Sequence, residues 1–421
     1  MLTEAENQRL TRVGPGTPMG TLFRRYWIPA LLSEELPEPD GAPVRVRLLG
    51  EDLVAFRDST GTVGLVSAYC PHRRAPMFFG RNEECGLRCV YHGWKFDRDG
   101  ACVDMPSEPP DSLFKTKVKI EAYPTWEGGS IVWAYLGPAE LQPEPPAHEL
   151  VRTPATHRHV SKSFEDCNFL QALEGGIDPT HASIMHNGNI GDRSFLNRYD
   201  ELVANIQLDK TDYGFTYAGI RTLTKATWVR GYHYIMPSFH MRATVEGPFG
   251  NRSDGPTIDG HIWVPIDDEQ TWVFSFGYSH DPARPLDHER VRARETRLGR
   301  GDNLEPGYRP RQNKSNDYGI DRQRQKTESM TGIPGINTQD FALQEGMGPI
   351  CDRSQEHLGT TDRAIITLRQ VLFAALDTLD SGGRPPAIDP ATYRNVRSFD
   401  RLVQPDTEWR SATKADAVTR F

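Results

Sequence analysis

The chain has 421 residues, of which 37% are hydrophobic and 25% charged, and its formal net charge is −8. This length allows two domains with a sizeable core. The acidic balance argues against a general nucleic-acid binder, which would show a basic surface. No apolar run approaches the roughly 20 residues of a membrane helix. The N-terminal residues do not have the pattern of a signal peptide, so we expect a soluble, cytoplasmic protein.

Short apolar segments in the first third of the chain predict a small antiparallel β-domain. Turn residues such as those at 50–52 and 99–100 separate the segments. The predicted strands are 44–49, 53–57, 63–69, 87–91, 94–97 and 130–136. The proline-rich stretch Leu141–Pro146 predicts a linker. We therefore expect a first domain over residues 1–145, with an N-terminal helical arm, and a second domain over residues 146–421.

The second region mixes helical and strand signals. Residues 163–185 are mostly helical in pattern, and strands are predicted at 202–208, 214–220 and 241–246. The segments 260–266 and 271–278 predict a hairpin. Residues 284–327 predict a surface helix and a long loop. Apolar residues at helical spacing from Ile365 to Leu379 predict a last helix, which Gly382 and Gly383 end. The fold class is therefore α+β.

Two cysteine–histidine pairs stand in the β-domain. Cys70 and His72 form a C-x-H pair, and after sixteen residues Cys89 and His92 form a C-x-x-H pair. Such loops could bind zinc or a [2Fe–2S] cluster, and in a Rieske centre two histidines replace two cysteines on one iron. Zinc ligand pairs usually repeat one residue type, so the alternating order favours the cluster over a zinc site. The remaining cysteines are expected not to bind metal: Cys85, Cys102, Cys167 and Cys351.

A second motif lies in the other domain, where Asp178, His181 and His186 follow one another at offsets of 3 and 5 residues. At about 100° per residue, the three would share one broad face of a helix. Two histidines and a carboxylate form the facial triad of non-haem Fe(II) oxygenases. Asp178 before Pro179 is equally suited to cap a helix.

These two motifs in this order resemble the α subunits of Rieske non-haem iron ring-hydroxylating oxygenases. The segments 13–20, 25–27, 344–350 and 355–359 resemble the phthalate-dioxygenase-like branch. The resemblance implies an antiparallel β Rieske domain followed by a helix-grip-like α+β catalytic domain. It implies a [2Fe–2S] cluster on Cys70, His72, Cys89 and His92, and Fe(II) on His181, His186 and Asp340. Two alternatives stay open, namely that Asp340 only caps a helix and that Glu345 is the ligand.

The resemblance also implies a mechanism and an assembly. A flavin/iron–sulfur reductase would supply electrons from NAD(P)H to the cluster, and they would pass to the iron. Asp178 would bridge a cluster histidine, expected to be His92, and the iron ligand His181. Because this bridge spans two subunits in the family, a head-to-tail homotrimer is expected.

The sequence leaves the substrate open. We expect O2-dependent hydroxylation of a small, carboxylated aromatic compound, with O-demethylation of an aryl ether as the alternative. Arg221, Lys225, Arg230 or Arg242 could bind a carboxylate, unless they form a solvated sheet face. His233, His240 and His261 are assigned no metal. An electron-carrying Rieske protein and a zinc-dependent structural protein are the other classes, and the long second region argues against the carrier.

Overall fold

The structure is a computed structural model that describes residues 1–188, 203–245 and 257–421. The chain forms two compact units, Val13–Pro145 and Met1–Arg12 together with Pro146–Phe421. The boundary between Pro145 and Pro146 lies inside the proline-rich stretch, and the first twelve residues belong to the second unit. Within the described ranges, no helix is both long and apolar enough to cross a membrane.

The unit Val13–Pro145 is built from short antiparallel strands. The chain opens with α1 (Glu4–Thr11) of the other unit and then enters this one at α2 (Pro18–Phe23). The strands are β1 (Trp27–Leu32), β2 (Val44–Leu48), β3 (Glu51–Arg57), β4 (Val63–Ser67), β5 (Arg81–Glu83), β6 (Gly86–Arg88), β7 (Lys95–Phe96), β8 (Cys102–Asp104), β9 (Ala122–Tyr123), β10 (Thr125–Gly128) and β11 (Ile131–Tyr135). They form three sheets with the orders β1-β11-β10, β2-β3-β4-β9 and β5-β6-β7-β8. The predicted β-domain is confirmed.

One apolar core lies under the two cysteine–histidine loops. Val54, Val66, Leu87 and Phe96 belong to it, and all four are fully or almost fully buried. Cys70 and Cys89 are members of the same cluster. The first loop follows β4, and the second joins β6 to β7. Hydrophobic burial of these strands therefore fixes the bases of both loops.

The second unit combines a large antiparallel sheet with helices. Its elements are α3 (Glu149–Arg152), β12 (Arg158–Glu165), α4 (Phe169–Ile177), α5 (His181–Ile184), β13 (Asn205–Thr211), β14 (Gly214–Thr222), β15 (Thr227–Ile235), β16 (Phe239–Ala243), β17 (Ile258–Pro265), β18 (Thr271–Tyr278), α6 (His288–Leu298), β19 (Leu304–Glu305), β20 (Arg309–Pro310), α7 (Arg322–Thr327), α8 (Ile336–Gly346), α9 (Arg363–Asp380), β21 (Asp400–Val403) and α10 (Trp409–Thr413). The sheet order is β12-β18-β17-β16-β15-β14-β13, and β21 pairs with β15. The predicted α+β class is confirmed.

Helices α4 and α9 pack on this sheet. Helix α9 buries Ala364, Leu368, Val371 and Leu372, which recur at helical spacing. It ends where Gly382 takes a φ of 76° and its N–H donates to the Leu379 carbonyl, as the sequence predicted. The buried face of α9 thereby covers β13 and β14, while α4 contacts β17.

The local predictions succeeded unevenly in this unit. The β17–β18 hairpin and strand β14 are confirmed. The helical assignment of 163–185 is wrong at its start, because Ser163–Glu165 pair with Val273–Thr271 in the sheet. Strand β15 was not predicted, although it lies inside the sheet. The predicted strand ends at Leu202 and Glu246 lie outside the described residues.

His233 on β15 is a buried histidine, and it makes stability depend on pH. Its Nδ1 lies 2.8 Å from the Tyr213 hydroxyl. Burial lowers the pKa of His233 to about 4. In the unfolded chain a histidine has a pKa of about 6.5 and therefore takes up a proton first as the pH falls. The stability of the folded protein is unaffected by the protonation of His233 above about pH 6.5 and decreases as the pH falls from there toward 4. The lost free energy is on the order of 3 kcal/mol.

We therefore expect His233→Phe to reduce the loss of stability between pH 7 and pH 4. Urea unfolding at the two pH values measures it, with the exposed histidine variant His357→Phe as the matched control. Equal acid-induced losses in the two variants would contradict a neutral His233 in the folded protein.

Candidate metal centres and the adjoining cavity

The two cysteine–histidine loops share one backbone conformation. The Cys70 N–H donates to the Ala75 carbonyl at 2.9 Å, and the Cys89 N–H donates to the Trp94 carbonyl at 2.8 Å. In both loops the residue four after the cysteine donates back to the cysteine carbonyl, at 2.9 Å in each case. The sequence therefore folds twice into the same tight turn, which presents one thiol and one imidazole from each loop.

Both turns depend on a left-handed residue four positions after the cysteine. Arg74 has a φ of 60° and Gly93 a φ of 79°. At Gly93 a Cβ atom would also lie 2.5 Å from Pro106 Cγ, so only glycine fits there. The glycine of the second loop is thus required by its turn and by its neighbour.

The four side chains of these loops lie together. The rings of His72 and His92 are 4.4 Å apart, and Trp94 stacks on His72 at 4.3 Å. Cys70 and Cys89 are buried beneath them. Burial is the main reason that the pKa of Cys70 rises to about 11, and the neighbouring Cys89 reinforces it. Two thiols buried side by side suit a cationic iron–sulfur centre, which keeps coordinated sulfur deprotonated.

His181, His186 and Asp340 form a group of side chains that could hold a metal ion. One atom of each residue lies within 4.8 Å of the others. Asp340 Oδ1 is 3.6 Å from His181 Nε2 and 3.3 Å from His186 Nε2. This buried oxygen has no hydrogen-bond partner among the described residues. Two imidazoles and an unpartnered carboxylate oxygen that converge in this way fit a ferrous ion.

The outer nitrogen of each histidine faces an acceptor. His186 Nδ1 lies 2.7 Å from Gln339 Oε1, while the Gln339 amide donates to the Ile333 carbonyl. His181 Nδ1 lies 3.4 Å from Asp178 Oδ2. Because Nδ1–H is directed outward, each Nε2 presents its lone pair toward Asp340.

Asp178 occupies a break between two helices. Helix α4 ends at Ile177 and α5 spans only His181–Ile184, so the predicted continuous helical face is wrong. The Asp178 carboxylate accepts hydrogen bonds from the backbone N–H groups of Thr180 and His181. Asp178 is the C-cap of α4, whereas Thr180 is the N-cap of α5, so the interpretation of Asp178 as the N-cap is wrong. Its carboxylate nevertheless bonds the backbone at the start of α5 and faces His181.

Glu345 is oriented away from the histidine pair. It lies five residues after Asp340 on α8, about 140° around the helix. Its carboxylate accepts hydrogen bonds from the Asp166 N–H at 3.0 Å and from the Tyr318 hydroxyl at 2.5 Å. Of the two carboxylates that the sequence left open, the structure brings Asp340 to the histidines.

A cavity of about 370 Å³ adjoins this group within the second unit. His181, His186 and Asp340 form part of its wall, and α4, α6 and α8 cover it. Alternate residues of the sheet supply the opposite wall, as period-2 geometry requires. These include Trp228, Arg230 and Tyr232 on β15 and Asp259, His261 and Trp263 on β17.

The cavity wall holds buried charges that pair with one another. Arg242 Nε lies 2.6 Å from Asp259 Oδ1, and Arg294 Nη2 lies 3.7 Å from Asp259 Oδ2. Burial opposes ionisation of Asp259, but Arg242 and Arg294 outweigh it and hold its pKa below the usual value. Asp259 and Arg294 were missed in the sequence. A charged residue inside the apolar segment 258–264 was the signal that could have revealed the first of them.

Arg230 differs from Arg242 because its close partners are neutral. It donates to the Ala243 carbonyl at 2.7 Å and to Thr244 Oγ1 at 2.9 Å. Among the described residues it makes no ion pair within 4.0 Å. Arg221 also lines the cavity, whereas Lys225 lies exposed in the turn between β14 and β15. Of the four basic residues that the sequence offered as carboxylate partners, Lys225 is the one that does not line this cavity.

Glu165 adds a buried carboxyl group to the cavity wall. It ends β12 and is completely buried. Burial, together with nearby Glu345 and Asp340, raises the pKa of Glu165 well above its usual range. The environment of Glu165 therefore favours the uncharged form of its carboxyl group.

Comparison with known families matches both halves of the chain. A model of the Rieske [2Fe–2S] domain matches residues 26–124, and a model described as LigXa C-terminal domain like matches residues 134–420. The electron-carrier alternative does not explain the second match. The two family matches together cover most of the sequence.

Curated proteins are similar in sequence along nearly the whole chain. The phthalate 4,5-dioxygenase oxygenase subunit of Pseudomonas putida is 39% identical over 97% of this chain and 94% of its own. The 5,5'-dehydrodivanillate O-demethylase oxygenase subunit of Sphingobium sp. is 36% identical over 94% of this chain and 86% of its own. A crystal structure of dicamba monooxygenase shares the fold with a TM-score of 0.55 at 16% identity, covering 86% of this chain and 99% of the other.

The chain therefore belongs to the Rieske oxygenase family, as the oxygenase subunit of a multicomponent system. The family recognition, the fold class and the enzyme class predicted from the sequence are confirmed. Enzymes of this family combine a [2Fe–2S] cluster with a mononuclear non-haem iron, and they receive electrons from a partner reductase.

Removal of Asp340 tests the group of His181, His186 and Asp340. Asp340→Ala is expected to lower the iron content from about three to about two per chain, with two acid-labile sulfides retained. Iron and sulfide analysis of anaerobically purified protein measures it. Glu345→Gln, on the same helix, should keep all the iron. Loss of iron in the Glu345 variant alone would show that Glu345, and not Asp340, is the ligand.

Proposed function

We propose that this subunit oxidises a small aromatic carboxylate with O2, using electrons from NAD(P)H that a flavin/iron–sulfur reductase supplies. The main support is the shared wall of one cavity, which joins the arginines to His181, His186 and Asp340. A guanidinium in a low-dielectric pocket binds carboxylate by charge-assisted hydrogen bonds. The similarity to a phthalate dioxygenase subunit supports the same substrate class.

In this proposal His181, His186 and Asp340 hold the iron, and Cys70, His72, Cys89 and His92 hold the cluster. The ferrous ion, when bound, supplies the open coordination positions at which O2 is activated. The residues around the metal position orient the two histidines. Gln339 accepts the Nδ1–H bond of His186, and the Asp178 carboxylate lies 3.4 Å from His181 Nδ1, so both residues help to keep each Nε2 directed at the metal position.

The cavity wall suits one aromatic ring. Trp228, Trp263, Val273 and Phe276 give it apolar surface, and a volume of about 370 Å³ is at the small end for ligand sites. Arg230 would bind the carboxylate, while the apolar side chains exclude water and hold the ring beside Asp340 and the histidines. Fixing both ends of the substrate in this way selects the ring position that is oxidised.

The assembly is also part of the proposal. Asp178 would bridge His181 of one subunit and His92 of the next in a head-to-tail homotrimer, as the family resemblance implies. The exposed fraction of the loop carrying His92 supports this, because Val90 and Tyr91 are both 57% exposed. The cytoplasmic location stays a prediction from the sequence.

O-demethylation is the second candidate reaction, and the 36% identical O-demethylase subunit favours it. A single turnover under ¹⁸O₂ separates the reactions. The enzyme is reduced with dithionite, freed of excess reductant, and mixed with benzoate, phthalate or methoxybenzoates. Two ¹⁸O atoms in the product indicate dihydroxylation, one indicates monohydroxylation, and formaldehyde from a methoxybenzoate indicates demethylation. Oxidation of none of these acids would refute the proposed substrate class.

Arg230 gives a direct test of carboxylate binding. Arg230→Met keeps an unbranched apolar stem but removes the guanidinium and its charge, so benzoate affinity should fall about 10- to 100-fold. Benzamide should lose much less. Anaerobic calorimetry on the iron-loaded protein measures both, and the exposed Lys225→Met is the matched control. A similar effect of the two variants would rule out Arg230 as the carboxylate partner.

Asp178→Asn separates the backbone hydrogen bonds of Asp178 from bridging, because the asparagine Oδ1 can accept from the same N–H groups. We expect folding, iron and sulfide to be unchanged. Oxidation of the reduced cluster after mixing with O2 and substrate should slow about 10- to 100-fold, because the amide is a weaker partner for imidazole N–H. Stopped-flow absorption of the cluster measures the rate. A rate equal to that of the unmodified protein would limit Asp178 to its hydrogen bonds with the Thr180 and His181 N–H groups.

A further inference from the structure

The wall of the cavity around His261 is organised by one buried guanidinium. Arg300 Nε donates to Glu295 Oε2 at 2.7 Å, and its Nη2 also bonds Glu295. On the other side, Arg300 Nη1 donates to Asn337 Oδ1 at 2.9 Å and to Ser275 Oγ at 3.1 Å, and this positively charged group lies 3.5 Å from His261 Nε2. Arg300 is therefore occupied by the protein and serves to orient the side chains beside it.

This contact fixes the proton of His261. A guanidinium has only donors, so the ring nitrogen that faces it must present a lone pair. Burial, with Arg242 and Arg300 nearby, holds the pKa of His261 well below its usual value. The ring is therefore neutral and its proton lies on Nδ1. That nitrogen is buried and has no hydrogen-bond partner among the described residues.

The same logic applies to Asn337. Because its Oδ1 accepts from Arg300, its Nδ2 carries two N–H donors on the other side of the amide. Both His261 and Asn337 line the cavity and are 7% exposed. Two neutral donors thus stand in the cavity wall, one of them without a partner in the protein. An unsatisfied buried donor is unfavourable, so an acceptor on a ligand would be bound there.

These donors are distant from Arg230. In the sheet, Tyr232 on β15 lies opposite Arg242 on β16, and Arg242 lies opposite Asp259 on β17. This register gives the position of β15 relative to β17. From this register the Cα atoms of Arg230 and His261 are separated by roughly 10 Å across the strands and roughly 14 Å along them. A carboxylate held by Arg230 therefore leaves the His261 region for another substituent.

We propose that His261 and Asn337 bind an acceptor oxygen on a second substituent of the substrate. This inference rests on the proposed function and narrows its substrate class. The substrate is then an aromatic acid with an additional hydroxyl, ether or carboxylate group. A site built to donate to such an oxygen discriminates strongly against the analogue without it, because the donor is then left unpaired.

The test compares ligand affinities on the anaerobic, iron-loaded protein by calorimetry. The probes are benzoate, its hydroxy and methoxy derivatives, and the three benzenedicarboxylates. We expect at least one derivative to bind ten times more tightly than benzoate. His261→Phe should bring this ratio close to one. Arg230→Met should weaken both ligands and keep the ratio.

Two conservative variants sharpen the test. His261→Asn places an amide near the position of Nδ1 and should restore part of the ratio, whereas His261→Gln places one near Nε2 and should not. A ratio that survives in His261→Phe, or no derivative binding more tightly than benzoate, would overturn the inference and leave the proposed function intact. Failure of every aromatic acid to bind would instead refute the proposed function, and this inference with it.

Discussion

The buried carboxylate of Glu174 fixes helix α4, which leads to Asp178 and His181, within the second unit. It lies between two arginines, 2.8 Å from Arg353 Nη2 and 2.6 Å from Arg369 Nε. Burial opposes its ionisation, but these arginines outweigh that effect and lower the pKa of Glu174. Loss of one partner from such a group leaves an uncompensated buried charge, which costs about 3–5 kcal/mol. The group ties α4 to α9 and to the segment after α8, and α4 leads directly to Asp178.

The sheet places charged side chains on the face that lines the cavity, and these side chains determine which ligands the cavity can bind. Arg242 and Asp259 are directly paired across β16 and β17, so their charges compensate each other without water. Arg300 and Glu295 do the same on the helical side. Because most charges are compensated in this way, those with neutral partners, such as Arg230, stand out as groups for a ligand. The charged residues that pair with each other therefore stabilise the fold, and the arginine with neutral partners is available to bind a ligand.

Local sequence signals predicted the elements that stand on their own. The β17–β18 hairpin, the β-domain and helix α9 all have a periodicity and turn residues that need no distant partner. Strands β12 and β15 were missed. Strand β12 pairs with β18, far along the chain, and β15 pairs with the distant β21 as well as with its sequence neighbours β14 and β16. Polar residues such as Arg230 and Lys162 interrupt the apolar pattern there, because the cavity and nearby aromatic rings accommodate them.

The sequence alone determined the family, the two cysteine–histidine loops and the His181–His186 spacing. These depend on residues close together in the chain, whose geometry is set by short turns. Only the tertiary structure placed Asp340, and not Glu345, beside the two histidines, left Lys225 outside the cavity and showed the environment of His261. Each of those outcomes depends on which way a side chain faces after distant segments pack, and helix rotation and strand register fix that direction only in the folded chain.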